Sequence, residues 1–183
     1  MLAGPTTLGF ALLGLLHQAP QSGYDLRKVF ATTALCNYSS SPGAIYPALA
    51  RLERAGLIES RVDRTQALRP RVVYRPTKAG TAAMRRWLSD EVTREDVERR
   101  MDDLMLRFAF HWILGDRGAT ERLLAALVRQ VDEYVAELRR QRRLFPAETP
   151  AHPRLALEAG IEQYRASARW ARKSLIAVRE ERT

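Results

Sequence analysis

The sequence predicts a mainly α-helical protein with one small β-hairpin, built as two domains at residues 1–90 and 91–183. Three observations support this prediction. Apolar residues recur at a helical period in most of the chain, whereas residues 57–62 and 71–75 are rich in β-branched side chains. In the second half the helical spacing becomes heptad-like. The polar segment 90–96 between the two patterns is the expected domain junction.

Two short helices are expected before residue 36. Thr6 or Thr7 can cap the first helix, because a side-chain oxygen can accept a hydrogen bond from a free amide of the first turn. The apolar run from Leu8 to Leu16 is too short to span a bilayer and lacks a basic flank, so we assign it to the core. Residues 21–23 predict a turn, and a second helix then runs from Tyr24 to about residue 35.

A serine and a proline mark the start of a third helix. Ser40 or Ser41 can cap it, and Pro42 suits the first helical position, where a missing N–H costs nothing. Gly56 lies where a helix-ending glycine is expected, whereas Pro47 lies inside the helix and should kink or delay it. The apolar stripe consists of Ile45, Leu49 and Leu52, and the outward positions are Ala44, Tyr46, Ala50, Arg51 and Arg54.

A basic β-hairpin is expected directly after this helix. Five arginines and one aspartate give residues 61–75 a net charge of +4. Side-chain alternation favours an outward position for Arg61 over its neighbour Val62. The same alternation favours an outward Arg71 over Val72. A helix followed at once by a basic hairpin is typical of a winged helix-turn-helix domain, in which the helix enters a DNA major groove and the hairpin reaches phosphates.

The positive charge is concentrated in the first half of the chain. The 183 residues carry a net charge of +9 at pH 7; residues 1–90 hold 12 Lys/Arg against 5 Asp/Glu, whereas residues 91–183 hold 18 against 16. This asymmetry indicates a nucleic-acid-binding domain joined to a nearly neutral one, although charge alone leaves DNA, RNA and membrane surfaces open. The strands offer no exposed aromatic platform for RNA. Cys36 is the only cysteine, which excludes an intramolecular disulfide and favours a cytoplasmic protein.

The second half predicts helices that pack along heptad-like seams. One helix contains Met101, Met105, Phe108 and Trp112 and ends at residues 115–118. Three prolines within residues 145–153 predict a loop. The seam of the middle helix is Leu124, Leu127, Val131, Tyr134 and Leu138, and that of the last helix is Leu157, Ile161, Tyr164, Ala168, Ala171, Leu175 and Val178. We expect more apolar surface here than one copy can bury, and therefore a homodimer.

Motifs of the first half resemble, in the same order, those of the PadR family of transcriptional regulators. The longest reads Ser-Pro-Gly-x-Ile-Tyr-Pro-Ala-Leu-x-Arg-Leu-Glu-x-x-Gly-Leu-Ile and occupies residues 41–58. The family's wing usually carries a glycine near its tip, where this chain has Gln66-Ala67-Leu68. The flanking motifs are Leu13-Gly14-Leu15-Leu16, Ser22-Gly23-Tyr24-Asp25-Leu26 and Arg69-Pro70-Arg71-x-x-Tyr74-Arg75-x-Thr77-x-x-Gly80.

The second half is similar to the helical C-terminal domain of the Vir-like PadR subfamily, around residues 103–108 and 157–170. Together the two resemblances imply a DNA-binding transcriptional regulator that acts as a homodimeric repressor. They also imply a palindromic operator in double-stranded DNA and a response to small molecules, often flat aromatic or hydrophobic compounds. The two halves are then a winged-helix DNA-binding domain and an α-helical dimerisation and effector domain.

The expected DNA contacts lie on the second helix, the third helix and the hairpin. Tyr24 either helps to bind a phosphate at a helix N-terminus or packs between helices, and Tyr46 can pack on a neighbouring helix and offer only its hydroxyl. The alternative for the whole surface is a solvated face in a protein-binding winged-helix adaptor that does not read DNA. The expected contacts are Tyr24, Ser40, Ser41, Pro42, Gly43, Ala44, Tyr46, Pro47, Ala50, Arg51, Arg61, Arg64, Arg69 and Arg71.

An aromatic set in the second half predicts an effector site at the dimer interface, with rings as walls and a histidine or a tyrosine as the polar group. The alternative is that these rings belong to the core or to the dimer seam. A hydrophobic or aromatic small molecule would be the ligand. The residues of this set are Phe108, His111, Trp112, Tyr164 and Trp170.

No pattern in the sequence favours catalysis, a metal or a cofactor. The histidines His17, His111 and His152 are isolated, the single cysteine has no partner at motif spacing, and no glycine-rich phosphate loop occurs. Metal-sensing regulators cluster Cys and His ligands, and none cluster in this sequence. The expected partners are therefore double-stranded DNA, a second copy and a small-molecule effector, and not a membrane.

Overall fold

The computed structural model describes residues 4–33, 35, 41–63 and 71–180. Several features that the sequence predicts fall on other residues, and their structure is not described. These are the predicted DNA contacts Ser40, Arg64 and Arg69, the single cysteine Cys36 and the wing-tip segment Gln66-Ala67-Leu68.

The chain divides into two compact units, Met1–Leu88 and Ser89–Thr183. Helices dominate both units, and the described strands all belong to the first. The predicted fold class, mainly α-helical with a small amount of β-structure and a winged helix, is confirmed. Across the described residues, no helix combines the length and the apolarity that a membrane span needs.

The helices of the first unit begin at side chains that accept first-turn amides. Thr6 accepts a hydrogen bond from the Gly9 amide at 3.3 Å. Ser22 and Asp25 form a reciprocal capping box in which each side chain accepts the other's amide. The second helix ends before Thr33, whose backbone is extended, and not near residue 35 as predicted. The helices are α1 (Thr7–Gln18), α2 (Gly23–Thr32), α3 (Pro42–Arg54) and α4 (Lys78–Ser89).

Helix α3 begins where the sequence predicts and runs without interruption. Ser41 caps it by accepting the Gly43 amide at 3.2 Å, Pro42 opens it, and Gly56 follows its end with a left-handed φ of 68°. The expectation that Pro47 would delay the helix is wrong. Pro47 and Gly43, the residue whose carbonyl loses its intrahelical donor, are both exposed, so water can reach that carbonyl.

The sheet has three antiparallel strands in the order β1-β3-β2. The predicted hairpin is present, with Ser60 opposite Tyr74 and Arg61 opposite Val73. Gln21 pairs with Tyr74 on the other side of β3, so the prediction of a plain turn at residues 21–23 is wrong. A two-residue strand has no periodicity of its own, and only tertiary pairing reveals it. The strands are β1 (Gln21–Ser22), β2 (Ile58–Asp63) and β3 (Arg71–Pro76).

The start of α4 fixes the hairpin to the end of α3. Thr77 donates its hydroxyl to the Gly56 carbonyl at 2.7 Å and accepts the Gly80 amide at 3.0 Å, which confirms the predicted cap. A β-carbon on Gly80 would lie 1.9 Å from the Leu57 carbonyl oxygen, so only glycine fits at this close approach. The apolar stripe of α3, with residues such as Ile45 and Leu49, packs into the core of the unit.

The second unit is helical throughout its described residues. The first helix predicted there ends at Phe110 and continues as a 3-10 helix, so Trp112 leaves the predicted stripe and is 54% exposed. Pro153 was expected in a loop but lies in the first turn of the last helix, where proline is tolerated. The elements are α5 (Arg94–Arg99), α6 (Met101–Phe110), a 3-10 helix (His111–Leu114), α7 (Arg117–Arg143) and α8 (Ala151–Glu180).

Helices α7 and α8 form an antiparallel pair along the predicted seams. Ile161, Ala168 and Ala171 of α8 are buried in one core with the predicted seam residues of α7. The seam therefore packs first within a single chain. Its half-buried members include Leu157 and Val178.

Candidate nucleic-acid interface

The outward face of α3 is small and neutral at its start and basic at its end. Gly43, Pro47 and Ala50 are exposed, and Ala44 is half-buried. Arg51 is exposed in the last turns and has no ion pair with any described residue. The backbone of α3 can therefore approach another molecule closely, next to a guanidinium that no carboxylate of the described residues neutralises.

Tyr46 connects this face to the N-terminus of α2. A β-carbon on Gly23 would lie 2.5 Å from Cε1 of Tyr46, so the ring rests on the first residue of α2 and remains 47% exposed. Tyr46 therefore packs on a neighbouring helix, as one of the two sequence-based readings has it, and about half of its side chain stays accessible. Tyr24 is 60% exposed and its ring lies 5.3 Å from the Arg27 guanidinium carbon, which argues against interhelical packing.

A partly buried phenol lies under the same surface. Burial raises the pKa of Tyr74 on β3, and the charge of Glu53 on α3 and the nearby Tyr46 raise it further. The Tyr74 hydroxyl therefore stays protonated at neutral pH. Charged and polar side chains of α3 therefore lie close enough to β3 to influence the Tyr74 hydroxyl.

Arg71 on β3 is exposed, as alternation predicts, but it is held by two carboxylates. Its Nη1 lies 3.5 Å from Oδ2 of Asp25, and its Nε lies 3.5 Å from Oδ2 of Asp63. The Ser22 hydroxyl, which donates to Asp25 at 2.7 Å, is the main cause that lowers the pKa of Asp25; the Ser22 amide and Arg71 lower it further, against the effect of burial. The two carboxylates partly neutralise Arg71.

The remaining hairpin arginines differ in their partners. Arg75 donates to Glu59 across the strands at 2.7 Å, whereas Arg61 is exposed and has no ion pair with a described residue. Arg61 and Arg75 both line a concavity of about 590 Å³ beside the hairpin. Of the described hairpin arginines, Arg61 is thus the one whose charge is available to a phosphate.

The hairpin valines are exposed as well, although alternation favours Arg61 and Arg71 over them as the outward residues. Val62 and Val72 form a cross-strand pair and are 49% and 45% exposed. Ile58, on the same face of β2, is buried at the base of the hairpin. The core of the unit covers the base of the sheet and ends before this pair, so alternation does not separate buried from exposed side chains there.

Sequence reasoning missed Asp25 and Glu59, the acids that neutralise Arg71 and Arg75. The Ser22-x-x-Asp25 spacing of a capping box was visible, but its contact with β3 requires the tertiary fold. Glu59 could have been found from hairpin register, since it lies directly opposite Arg75.

The aromatic set of the second unit does not converge on one point. Phe108 packs edge-on against Trp170 with ring centroids 5.0 Å apart, whereas Tyr164 packs against Tyr134 instead. His111 is buried and its Nδ1 lies 2.9 Å from the Thr120 hydroxyl. With Trp112 exposed, the Phe108–Trp170 pair is the part of the predicted effector site that the structure brings together. Among the described residues, no group of three or more His, Cys, Asp or Glu side chains could hold a metal ion.

A cap-started helix with an exposed small-residue face, followed by a basic hairpin in a three-stranded sheet, defines the winged helix-turn-helix class. Residues 12–86 match the model of the transcriptional regulator PadR-like family, and residues 100–179 match the model named virulence activator alpha C-term. The chain belongs to the PadR-like family of transcriptional regulators. Proteins of this family are transcription regulators and not enzymes.

Similar solved structures include Bacillus subtilis PadR in complex with operator DNA, at 23% identity over 94% of this chain and 99% of that one, with a TM-score of 0.43. A PadR-like regulator from Bacillus cereus has 23% identity over 97% and 99%, with a TM-score of 0.41. Bacillus subtilis PadR in complex with p-coumaric acid has 23% identity over 96% and 100%, with a TM-score of 0.42. No curated protein matches the sequence. The family assignment rests on the two sequence models.

Proposed function

We propose that this chain is a cytoplasmic, ligand-responsive repressor that binds double-stranded DNA as a homodimer. Residues 1–90 would contact DNA, and residues 91–183 would hold two copies together and bind the effector. The observation that carries the proposal is the outward face of α3. It presents small side chains and the unneutralised Arg51 in the chain's more basic half.

Helix α3 is the proposed reader of the major groove. That groove is about 12 Å wide and admits a helix. The small side chains of Gly43, Ala44 and Ala50 would let the α3 backbone lie close to the base edges, and Arg51 can donate two hydrogen bonds to a guanine edge. Ser41 and Tyr46 lie at the start of the same face and supply hydroxyl groups for phosphates or bases.

The hairpin is the proposed phosphate contact. Arg61 is exposed and without an ion pair to any described residue, so it can neutralise a phosphate without first losing a partner. Arg71 can do so only by leaving Asp25 and Asp63. Phosphate contacts position a protein on the duplex without reading its sequence. The hairpin would therefore add affinity, and α3 would add specificity.

A homodimer would place two α3 helices about one turn of DNA apart, roughly 34 Å, on a palindromic operator. A ligand would act by binding more tightly to the arrangement that does not fit this spacing. A difference of about 1–3 kcal/mol between the two arrangements gives about 5- to 150-fold derepression. The Phe108–Trp170 pair is the proposed wall for a hydrophobic or aromatic effector, since two rings at right angles leave their outer faces for a third.

Fluorescence anisotropy with promoter DNA next to the chain's own gene tests the proposal, with an excess of unrelated duplex as competitor. Arg51→Ala should weaken specific binding by about 5- to 150-fold, as loss of a base-contacting arginine costs about 1–3 kcal/mol. Arg86→Ala, at an exposed arginine of α4, is the control and should bind as the unaltered chain does.

A footprint would show two protected half-sites, and light scattering would show two copies per complex. Equal affinity for promoter and competitor, or equal losses for Arg51→Ala and Arg86→Ala, would instead support the adaptor alternative.

A further inference from the structure

A crevice between α7 and α8 is lined by side chains from both helices. Its volume of about 400 Å³ lies within the range of about 300–1,000 Å³ that is typical of ligand pockets. Small apolar residues form one part of its lining and arginines form most of the rest. The lining residues are Asp132, Val135, Ala136, Arg139, Arg165, Ala168, Arg169 and Arg172.

Opposite charges join the edges of α7 and α8, both within the crevice and beyond it. Glu158, Arg172 and Arg179 recur on α8 at heptad intervals, and each forms an ion pair with an opposite charge on α7. The fourth residue in this series is Arg165, which lines the crevice together with Arg139 of α7. At this step of the series, each helix contributes an arginine to the lining.

The ion pairs of the crevice leave two of its arginines without a counter-charge. Arg172 pairs with Asp132, and Arg165 pairs with Glu162 one turn away on its own helix at 2.6 Å. Arg139 and Arg169 have no ion pair with any described residue, and one comes from each helix. Two uncompensated guanidinium groups around one crevice repel each other, and an anion between them would remove that repulsion.

We propose that this crevice binds a ligand with a phosphate group carrying at least two negative charges. Arg139 and Arg169 would hold the phosphate from opposite walls, because a guanidinium presents two parallel donors that match phosphate oxygens. Ala136 is exposed and can offer an apolar contact to the rest of the ligand, whereas Val135 and Ala168 are almost fully buried at the crevice floor. The site is separate from α3 and from the Phe108–Trp170 pair, and it does not depend on DNA binding.

Calorimetric titration of the full chain with sodium pyrophosphate tests this site, with ionic strength held constant by chloride. We expect one saturable site per chain. Arg139→Gln and Arg169→Gln should each weaken binding by about tenfold or more, since each removes charged hydrogen bonds to the anion. Arg129→Gln is the matched control, because Arg129 is an exposed arginine of α7 that does not line the crevice.

Both substituted arginines are exposed, so the variants should unfold at the same temperature as the unaltered chain without pyrophosphate. An absence of saturation at about 10 mM pyrophosphate would overturn the proposal, because the dissociation constant would then lie above the millimolar range. Equal weakening by Arg129→Gln and Arg169→Gln would also overturn it, because general charge attraction would then explain the binding.

Discussion

Ion pairs between helices hold several arginines of the second unit, with Arg139 and Arg169 as exceptions, whereas arginines on both elements proposed to contact DNA lack such a pair among the described residues. In the second unit, arginines such as Arg172 and Arg179 reach across from one helix to carboxylates of another. In the first unit, Arg51 on α3 and Arg61 on β2 have no ion pair with a described residue. Exposed ion pairs contribute only about 0–1 kcal/mol each to stability. The difference therefore concerns recognition more than stability, because a cation that is already paired offers less to a phosphate.

The hairpin of the first unit contains both a paired and an unpaired arginine. Arg71 has the exposure expected of a phosphate contact, yet Asp25 and Asp63 hold it. Arg61, ten residues earlier in the same hairpin, is exposed without such partners among the described residues. Net charge along the chain identifies the basic half. The ion pairs within that half then indicate which of its arginines are available to bind a phosphate.

The largest expected effect is a loss of stability in the first unit, with a small gain in the second unit as its control. Gly80→Ala should destabilise the first unit by at least about 3 kcal/mol, because the added β-carbon would overlap the Leu57 carbonyl. Gly160→Ala on α8 is the matched control, since nothing lies within 4 Å of its β-carbon position. That change should stabilise the second unit by about 0.5–1 kcal/mol.

Urea unfolding followed by far-ultraviolet circular dichroism measures both changes. If the two glycine variants were equally stable, α4 would not be packed on the Leu57 carbonyl and the hairpin would be fixed in another way.

A buried arginine in the second unit gives the next largest effect. Arg107 on α6 is buried, donates to the Asp90 carbonyl and leaves its Nε without a partner among the described residues. Burial is the main cause that lowers the pKa of Arg107. Arg107→Ala should cost about 2–4 kcal/mol through lost packing. Arg107→Met keeps most of the volume and removes the buried charge, so it should lie within about 1 kcal/mol of the unaltered chain.

Thermal and urea unfolding distinguish the two variants of Arg107. Arg172→Met is the exposed control, with an expected change below about 0.5 kcal/mol. Equal damage from Arg107→Ala and Arg107→Met would show that the bond to the Asp90 carbonyl, and not packing, is what matters.

Sequence patterns predicted those features of the first unit that depend on interactions between residues close together in the chain. Ser41, Pro42 and Gly56 define α3 because capping, the fixed φ of proline and a left-handed glycine act within a few residues. Strand β1 and the contacts of Arg71 could not be found this way. Both depend on contacts between segments that are distant in the chain. Strand β1 is also too short, at two residues, to show a periodic pattern.

In the second unit, the heptad seams were predictable and the end of α6 was not. Spacing alone identified Ile161, Ala168 and Ala171 as packing residues, because a helix repeats its faces. The same rule placed Trp112 on the stripe of α6. The backbone changes to a 3-10 helix at His111, which rotates later residues away from their α-helical positions. This change also separates Trp112 from the other members of the predicted effector site.

A smaller effect is expected from releasing Arg71. Asp63→Asn removes one of its two carboxylates and leaves Asp25, and the less neutralised guanidinium should raise affinity for any duplex by about 2- to 5-fold. The slope of log affinity against log salt should steepen by about one unit, since one more phosphate is neutralised. Anisotropy titrations with operator and unrelated duplex at several salt concentrations measure both quantities. A rise for the operator alone would mean that Asp63 influences base reading, and no rise would remove Arg71 from the interface.

The smallest expected effect is a pH dependence that the two units share. The pKa of Asp25 is lowered chiefly by the Ser22 hydroxyl, and that of Asp116, which caps α7, chiefly by the Ala119 amide. A carboxylate with a lowered pKa in the folded state stabilises the fold above its unfolded pKa, and that contribution disappears as the pH falls through the lower, folded value. Asp25→Asn should therefore lower stability at neutral pH, by less than about 1 kcal/mol for a capping contact, and flatten its dependence on pH in the acid range.

The two aspartates can be separated because α4 carries a tryptophan, Trp87, which packs against Phe10 at a centroid distance of 4.4 Å in the first unit. Variants with Trp112 and Trp170 replaced by phenylalanine would make its fluorescence report on that unit alone. In that background Asp25→Asn should flatten the pH dependence of urea unfolding, whereas Asp116→Asn should leave it unchanged. A response to both aspartates would mean that the units unfold together, and the stability of the DNA-contacting surface would then depend on the helical unit as well.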